Sequence, residues 1–194
     1  MSTEVRNRYL LKLDEINALA ISFTYEFDAV PEPEARQQFY DILLDMYIEG
    51  WAAAAYMLGE DIAPAGMLTD ERRSEIIDKK YDGESIGEKF RKHYDAQDAP
   101  ALEDLIRSEA HRCYSLGVFK KADASGGMVT WRTVGDDRVR DTHWWIDGIS
   151  VPTGSYFVTF DGDKARFPGD FQKAENNANC RCYVEATKAP TISA

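Results

Sequence analysis

Three side chains in the last third of the sequence have the types and spacing to do chemistry: His143, Cys180 and Cys182. An imidazole and two thiolates are donors that suit zinc. The Cys-x-Cys spacing puts both thiols on one face if the segment is extended, because side chains alternate along a strand. Three donors leave a closed tetrahedral site one ligand short. No fourth donor is obvious, so Asp136, Asp137 or water would complete the sphere, and aspartate is not the usual choice in closed structural sites. The competing reading has no cofactor: a buried histidine and two reduced thiols packed against Trp131 or Trp144. An open version of the set, with His143, Asp137 and Cys180 around a catalytic ion, would make a metal-dependent hydrolase or nuclease. That chemistry needs a free coordination position and a cleft, and the incomplete ligand set argues against it.

Other residues have simpler readings. Glu109 reads as a buried anchor for the arginines that follow, or less naturally as a catalytic acid. Asp136 and Asp137 alternate with Arg138 and Arg140 near Arg132, and charge-assisted Arg–carboxylate bonds can fix a turn that has little apolar surface. Cys113 falls on an apolar helical stripe and reads as a small hydrophobe, His111 falls off that stripe and reads as solvated, and His93 lies in a charged surface stretch. Trp144 and Trp145 could stack bases if both were exposed, but at least one is expected in the core. Asp161-Gly162-Asp163 reads as a turn and lacks the remaining positions of a calcium loop. No phosphate loop, nucleophile elbow or His-Glu-x-x-His motif is present, so a non-enzyme is expected.

The elements that must position these residues form two blocks, an α+β chain with a helical region over 1–124 and a small α+β module with a short antiparallel sheet over 125–194. In the first, apolar residues at Tyr9, Leu13, Ile16, Ala20, Phe23 and Phe27 make one helical stripe, broken at Pro31 and Pro33. A second helix is predicted over 34–58, with Phe39, Leu43, Met46 or Tyr47, Gly50, Ala54 and Met57 inward. Its alanine run at 52–55 would admit a close neighbour, and Gly59 and Pro64 would end it. Helices over 69–81, with Thr69 as cap, over 85–94, and over 99–121 make about five. The Ala-Ser-Gly-Gly segment at 124–127 marks the boundary. Strands are expected over 128–134, 156–160 and 182–186, with one or two helical turns over 138–146.

Composition narrows the function classes. The chain has 194 residues, 44% hydrophobic and 29% charged, which suits a folded globular protein. No stretch approaches the roughly 18–20 apolar residues of a membrane span, and charges interrupt the start where a signal peptide would be apolar. Three cysteines fit no disulfide framework. Synthesis in a reducing cytoplasm is expected. The net charge of −11 is uneven: 15 basic and 25 acidic residues fall in 1–125, against 8 and 9 in 126–194. A duplex would be repelled by the first part. DNA contact would have to use a local patch of Arg132, Arg138, Arg140, Lys164, Arg166, Lys173 and Arg181.

From about Leu105 the chain resembles the phage Mu F-like and SPP1-type head-morphogenesis family of minor head proteins. The resemblance is carried by Arg107-Ser108-Glu109, Arg112, Tyr114 and Gly117, then Trp131-Arg132-Thr133 and Gly135 to Arg140 with His143. It continues through Asp147-Gly148 and Phe167-Pro168-Gly169-Asp170 to Asn179-Cys180-Arg181-Cys182, about 80 residues in all. It implies a structural protein made in the host cytoplasm and carried in few copies inside the capsid near the portal. Such a protein would aid head morphogenesis, with a part in DNA packaging or ejection. Its partners would be portal or other capsid proteins, further copies of itself, and packaged DNA through local basic residues, with no membrane involved.

Overall fold

A computed structural model describes residues 3–25, 29–62 and 67–190; Phe27 and Pro64 lie outside them. Five helices come first: α1 (Thr3–Tyr25), α2 (Glu32–Leu58), α3 (Asp70–Ile77), α4 (Ile86–Asp95) and α5 (Ala99–Ala124). Their ends follow local chemistry. Gly59 closes α2 with φ 64°, a left-handed conformation that glycine adopts without a Cβ penalty. Thr69 caps α3 by accepting from the Arg72 amide. Ser85 and Glu88 form a reciprocal capping box at α4, and Asp98 accepts from the Ala101 amide at α5.

The helix expected over 69–81 is shorter than its pattern. It ends at Ile77, and Lys80–Tyr81 (β1) pairs antiparallel with Glu84–Ser85 (β2). Asp82 and Gly83 between them both have positive φ, 53° and 86°, as a two-residue type I′ hairpin requires.

α2 and α5 are the central pair, and α1 lies against α5. They approach so closely that a Cβ built on Gly50 would sit 2.0 Å from the Tyr114 carbonyl oxygen, and one on Gly117 2.1 Å from that of Tyr47. The tightest crossing thus falls at two glycines rather than along the alanine run. From Glu109 to Phe119 every residue of α5 is buried, so this helix has no solvent face along that stretch.

The remaining elements are β3 (Met128–Arg132), α6 (Asp141–Trp144), β4 (Ser150–Pro152), β5 (Phe157–Val158), β6 (Lys164–Ala165), α7 (Ala174–Asn177) and β7 (Tyr183–Thr187). β3 is the middle strand of an antiparallel sheet ordered β4-β3-β7, and β5 pairs with β6. β7 packs on α5 and α2, where the Ala186 amide reaches the Met57 sulfur at 3.3 Å. One continuous apolar core runs from α1 through α2 and α5 into β3 and β7.

The long connection after β5 contributes Phe167 and Phe171 to the core and is organised by Asp163, which is also buried. Its two oxygens accept from the amides of Lys164, Gln172 and Lys173 and from Asn176 Nδ2, at 2.8–3.2 Å. Burial works to raise this carboxyl, but the Asn176 bond and the three amides outweigh it and hold it below its usual value. A depressed folded pKa gives stability that is present above the unfolded value of about 3.9 and lost as pH falls through the folded one. Asp163→Ala should cost about 3 kcal/mol at neutral pH, since it strands several buried donors. Urea unfolding of the two proteins at neutral pH and below pH about 3 should show that gap narrowing in acid.

Candidate functional site

The fold brings His143, Cys180 and Cys182 together although 37 or more residues separate the histidine from the thiols. α6 carries His143, and its single turn is started by Arg140, whose guanidinium donates to the Ala178 carbonyl and so ties α6 to the segment before Cys180. Asn179, with φ 51°, turns the chain into Cys180. Cys182 leads directly into β7. His143 Nδ1 lies 3.6 Å from Cys180 Sγ and 3.3 Å from Cys182 Sγ, and all three residues are buried. The imidazole stacks on Phe171 at 5.2 Å and meets the edge of Trp131 at 5.5 Å. Trp131 is fully buried in turn against Phe157 and Phe171. His143 Nε2 is buried without a hydrogen-bond partner.

The two thiols differ electrostatically. Hydrogen bonding from Cys182, and then from His143, holds Cys180 well below the ordinary thiol range against the effect of burial. The same contact with Cys180, reinforced by burial, pushes Cys182 well above it. Among the described residues no other histidine, cysteine or acid joins this group. Asp136, Asp137 and Glu109, considered as further ligands or as catalytic acids, stand outside it.

Asp136 is instead gripped by both terminal nitrogens of Arg181, at 2.6 and 2.7 Å, with the exposed Arg138 at 3.7 Å. The Arg181 bond lowers the Asp136 carboxyl. The expected cluster of Arg132, Arg138 and Arg140 around Asp136 and Asp137 is thus divided. Arg132 binds Glu185 across the β3–β7 pair at 2.7 Å, Arg140 serves the Ala178 carbonyl, and Asp137 is exposed. Asp147 accepts from the Thr133 amide at 2.7 Å, while Gly148, at φ 78°, donates to the Trp131 carbonyl, so this pair fastens the end of β3.

Glu109 does not anchor the arginines of the later segment. Its partner is Arg112, one turn along α5, at 2.7 Å, with both side chains buried, and the Tyr81 hydroxyl donates to its other oxygen at 2.6 Å. Arg112 also donates to the Ile76 carbonyl. Pro168 and Gly169 are buried over it, and a Cβ on Gly169, which has φ 92°, would lie 2.8 Å from Arg112 Cγ.

Two expectations fail outright. His111 is buried, with Nε2 at 2.7 Å from the Tyr9 hydroxyl and 2.8 Å from the Cys182 carbonyl. A proton on Nε2 donates to the Cys182 carbonyl, while the Tyr9 hydroxyl donates to the Cys182 or Arg181 carbonyl. Burial lowers the His111 pKa and favours the neutral ring. Trp144 and Trp145 are both exposed, at 45% and 63%. Trp145 meets the edge of Phe160 at 6.3 Å, and Tyr156, Val158 and Phe160 alternate outward along the β5 segment. Neither His111 nor Asp163 was marked out by a motif; each is identified by partners distant along the chain.

Fold and site define an α+β chain whose reactive side chains are packed inward and whose outer face carries aromatic rings. Over 93 residues it is 28% identical to minor head protein GP7 of Bacillus phage SPP1, a match that takes in 44% of this chain and 30% of that protein. The likeness is therefore partial, and it is to a minor head protein of a phage. No family model matches the chain, and no solved structure does. No helix among the described residues is long and apolar enough to cross a membrane.

Proposed function

We propose that the chain is a minor component of a bacteriophage head, carried inside the virion near the portal, where it aids head morphogenesis by contacting portal or other capsid proteins. The observation that carries this reading is the partial likeness to a minor head protein. The aromatic face supports it physically. Trp145, Tyr156, Val158 and Phe160 are each 45–63% exposed, and clustered exposed apolar rings are a mark of protein contact surfaces. A structural role rather than an enzymatic one fits the burial of His143 and Cys182 and the separation of Asp137 from them. Five of the seven basic residues considered for DNA contact already lie against carboxylates: Arg132 by Glu185, Arg166 by Asp170, Lys173 by Asp161, and Arg138 and Arg181 by Asp136. A part in DNA packaging or ejection would then run through protein contacts.

Mass spectrometry of virions purified from an infected host tests this. The chain should be found in few copies per particle and be protected from added protease until the heads are opened; its absence from complete virions rejects the reading. The double substitution Trp145→Ser with Phe160→Ser should leave the circular dichroism unchanged. It should reduce incorporation about tenfold or more, as the loss of two aromatic anchors does at interfaces.

A further inference from the structure

We propose that His143, Cys180 and Cys182 bind one zinc ion, with water from the adjoining groove as the fourth ligand. The argument is independent of the head-protein reading and rests on the three donors themselves. Zinc bonds of about 2.3 Å to sulfur and 2.0–2.1 Å to nitrogen, set tetrahedrally, place nitrogen and sulfur about 3.6 Å apart. His143 Nδ1 stands at 3.3 and 3.6 Å from the two sulfurs, and all three donor atoms lie within 4.8 Å of one another.

Both sulfurs converge on the same ring nitrogen, an arrangement that a cation among the three would serve directly. The donors are also held in place before any ion arrives. Phe171 and Trp131 fix the imidazole plane, Arg140 ties α6 to the segment before Cys180, and β7 anchors Cys182 through its pairing with β3. This order means that little is lost in arranging the ligands. Cys180 also lines a groove of about 890 Å³ between α1 and the 179–181 segment, so one edge of the cluster adjoins open space. The donor set, two soft sulfurs and one imidazole, favours zinc over magnesium or calcium, which take oxygen.

The test uses the full chain purified without chelator. Elemental analysis should find about one zinc per chain, and X-ray absorption should find two sulfurs and two lighter atoms around it. Cobalt(II) added to zinc-free protein should produce a sulfur-to-cobalt charge-transfer band and the intense visible bands of a tetrahedral ion. His143→Ala and Cys182→Ser should each weaken cobalt binding at least about tenfold, the loss that even an outer partner of a ligand causes. Cys113→Ser, outside the cluster, should bind as the unaltered chain does. If the unaltered chain takes up neither zinc nor cobalt with a charge-transfer band, the proposal is wrong whatever the variants do. It is equally wrong if the metal content of folded His143→Ala and Cys182→Ser matches that of the unaltered chain, or if the purified chain carries a Cys180–Cys182 disulfide that excludes the ion.

Discussion

Gly117→Ala destabilises the protein by about 2 kcal/mol or more, although alanine is the better helix former by about 1 kcal/mol. The added methyl would sit 2.1 Å from the Tyr47 carbonyl oxygen and 2.8 Å from the Trp51 nitrogen. Both are backbone atoms of α2, so no rotamer change relieves the clash, and α2 and α5 must move apart along their length. That separation loosens contacts made by Tyr47, Trp51 and Tyr114 together. Gly50→Ala meets the Tyr114 carbonyl at 2.0 Å and should behave alike. Gly154→Ala is the control, because a Cβ there meets nothing within 4 Å and the φ is ordinary. Urea midpoints of the three variants measure the difference, and a midpoint for Gly117→Ala at or above that of the unaltered chain would show that the helices are not so close.

Arg112→Met costs about 3–5 kcal/mol, the usual penalty for leaving one buried charge without its partner. The guanidinium neutralises Glu109 in a place where both are almost fully enclosed, and it also satisfies the Ile76 carbonyl. Methionine fills much of the space and answers neither group. Removing both charges with Glu109→Gln and Arg112→Met should recover a large part of the loss, since glutamine can still accept from Tyr81 and no bare carboxylate remains. Thermal unfolding of the four proteins as a double-mutant cycle gives the coupling. If the single and double variants are equally unstable, the pair acts through packing and not through charge.

The helical stripes were legible where one face meets the core and the other meets water. Tyr9, Ile16 and Ala20 on α1, and Phe39, Leu43, Tyr47 and Gly50 on α2, are buried as their spacing predicts. α5 breaks the premise. Its stripe of Leu102, Ile106, Ala110, Cys113 and Gly117 is correct, yet Glu109, His111, Arg112 and Ser115 are buried on the other sides. A helix enclosed by α1, α2 and the sheet needs polar residues that find partners inside, and those partners, Tyr9, Tyr81 and the Cys182 carbonyl, are 28 to 102 residues away. The hairpin at Asp82-Gly83 is legible in principle, but the helix expected over 69–81 runs up to that turn signal and takes in the residues of β1.

In the candidate site, the pairing of His143 with the two thiols could be anticipated from residue type alone. Their surroundings could not: Phe171 arrives on a loop organised by Asp163, and nothing local in Asp161-Gly162-Asp163 reveals that the second aspartate will gather four donors. The ion pairs show the same limit. Asp136 lies two residues from Arg138 in sequence, yet it pairs better with Arg181, 45 residues on, because β7 brings that side chain alongside. The tryptophan pair misled for the opposite reason. Large apolar side chains are usually interior, and these two are exposed.

The place of β7 carries a consequence for how the chain is born. This strand is made after every other described element, yet it completes the three-stranded sheet and covers α5, and the residue just before it, Cys182, supplies the carbonyl that His111 and Tyr9 hold. Until it emerges from the ribosome, α5 has an unfilled side. A nascent polypeptide that stops short of β7 therefore stays unfinished and open to degradation.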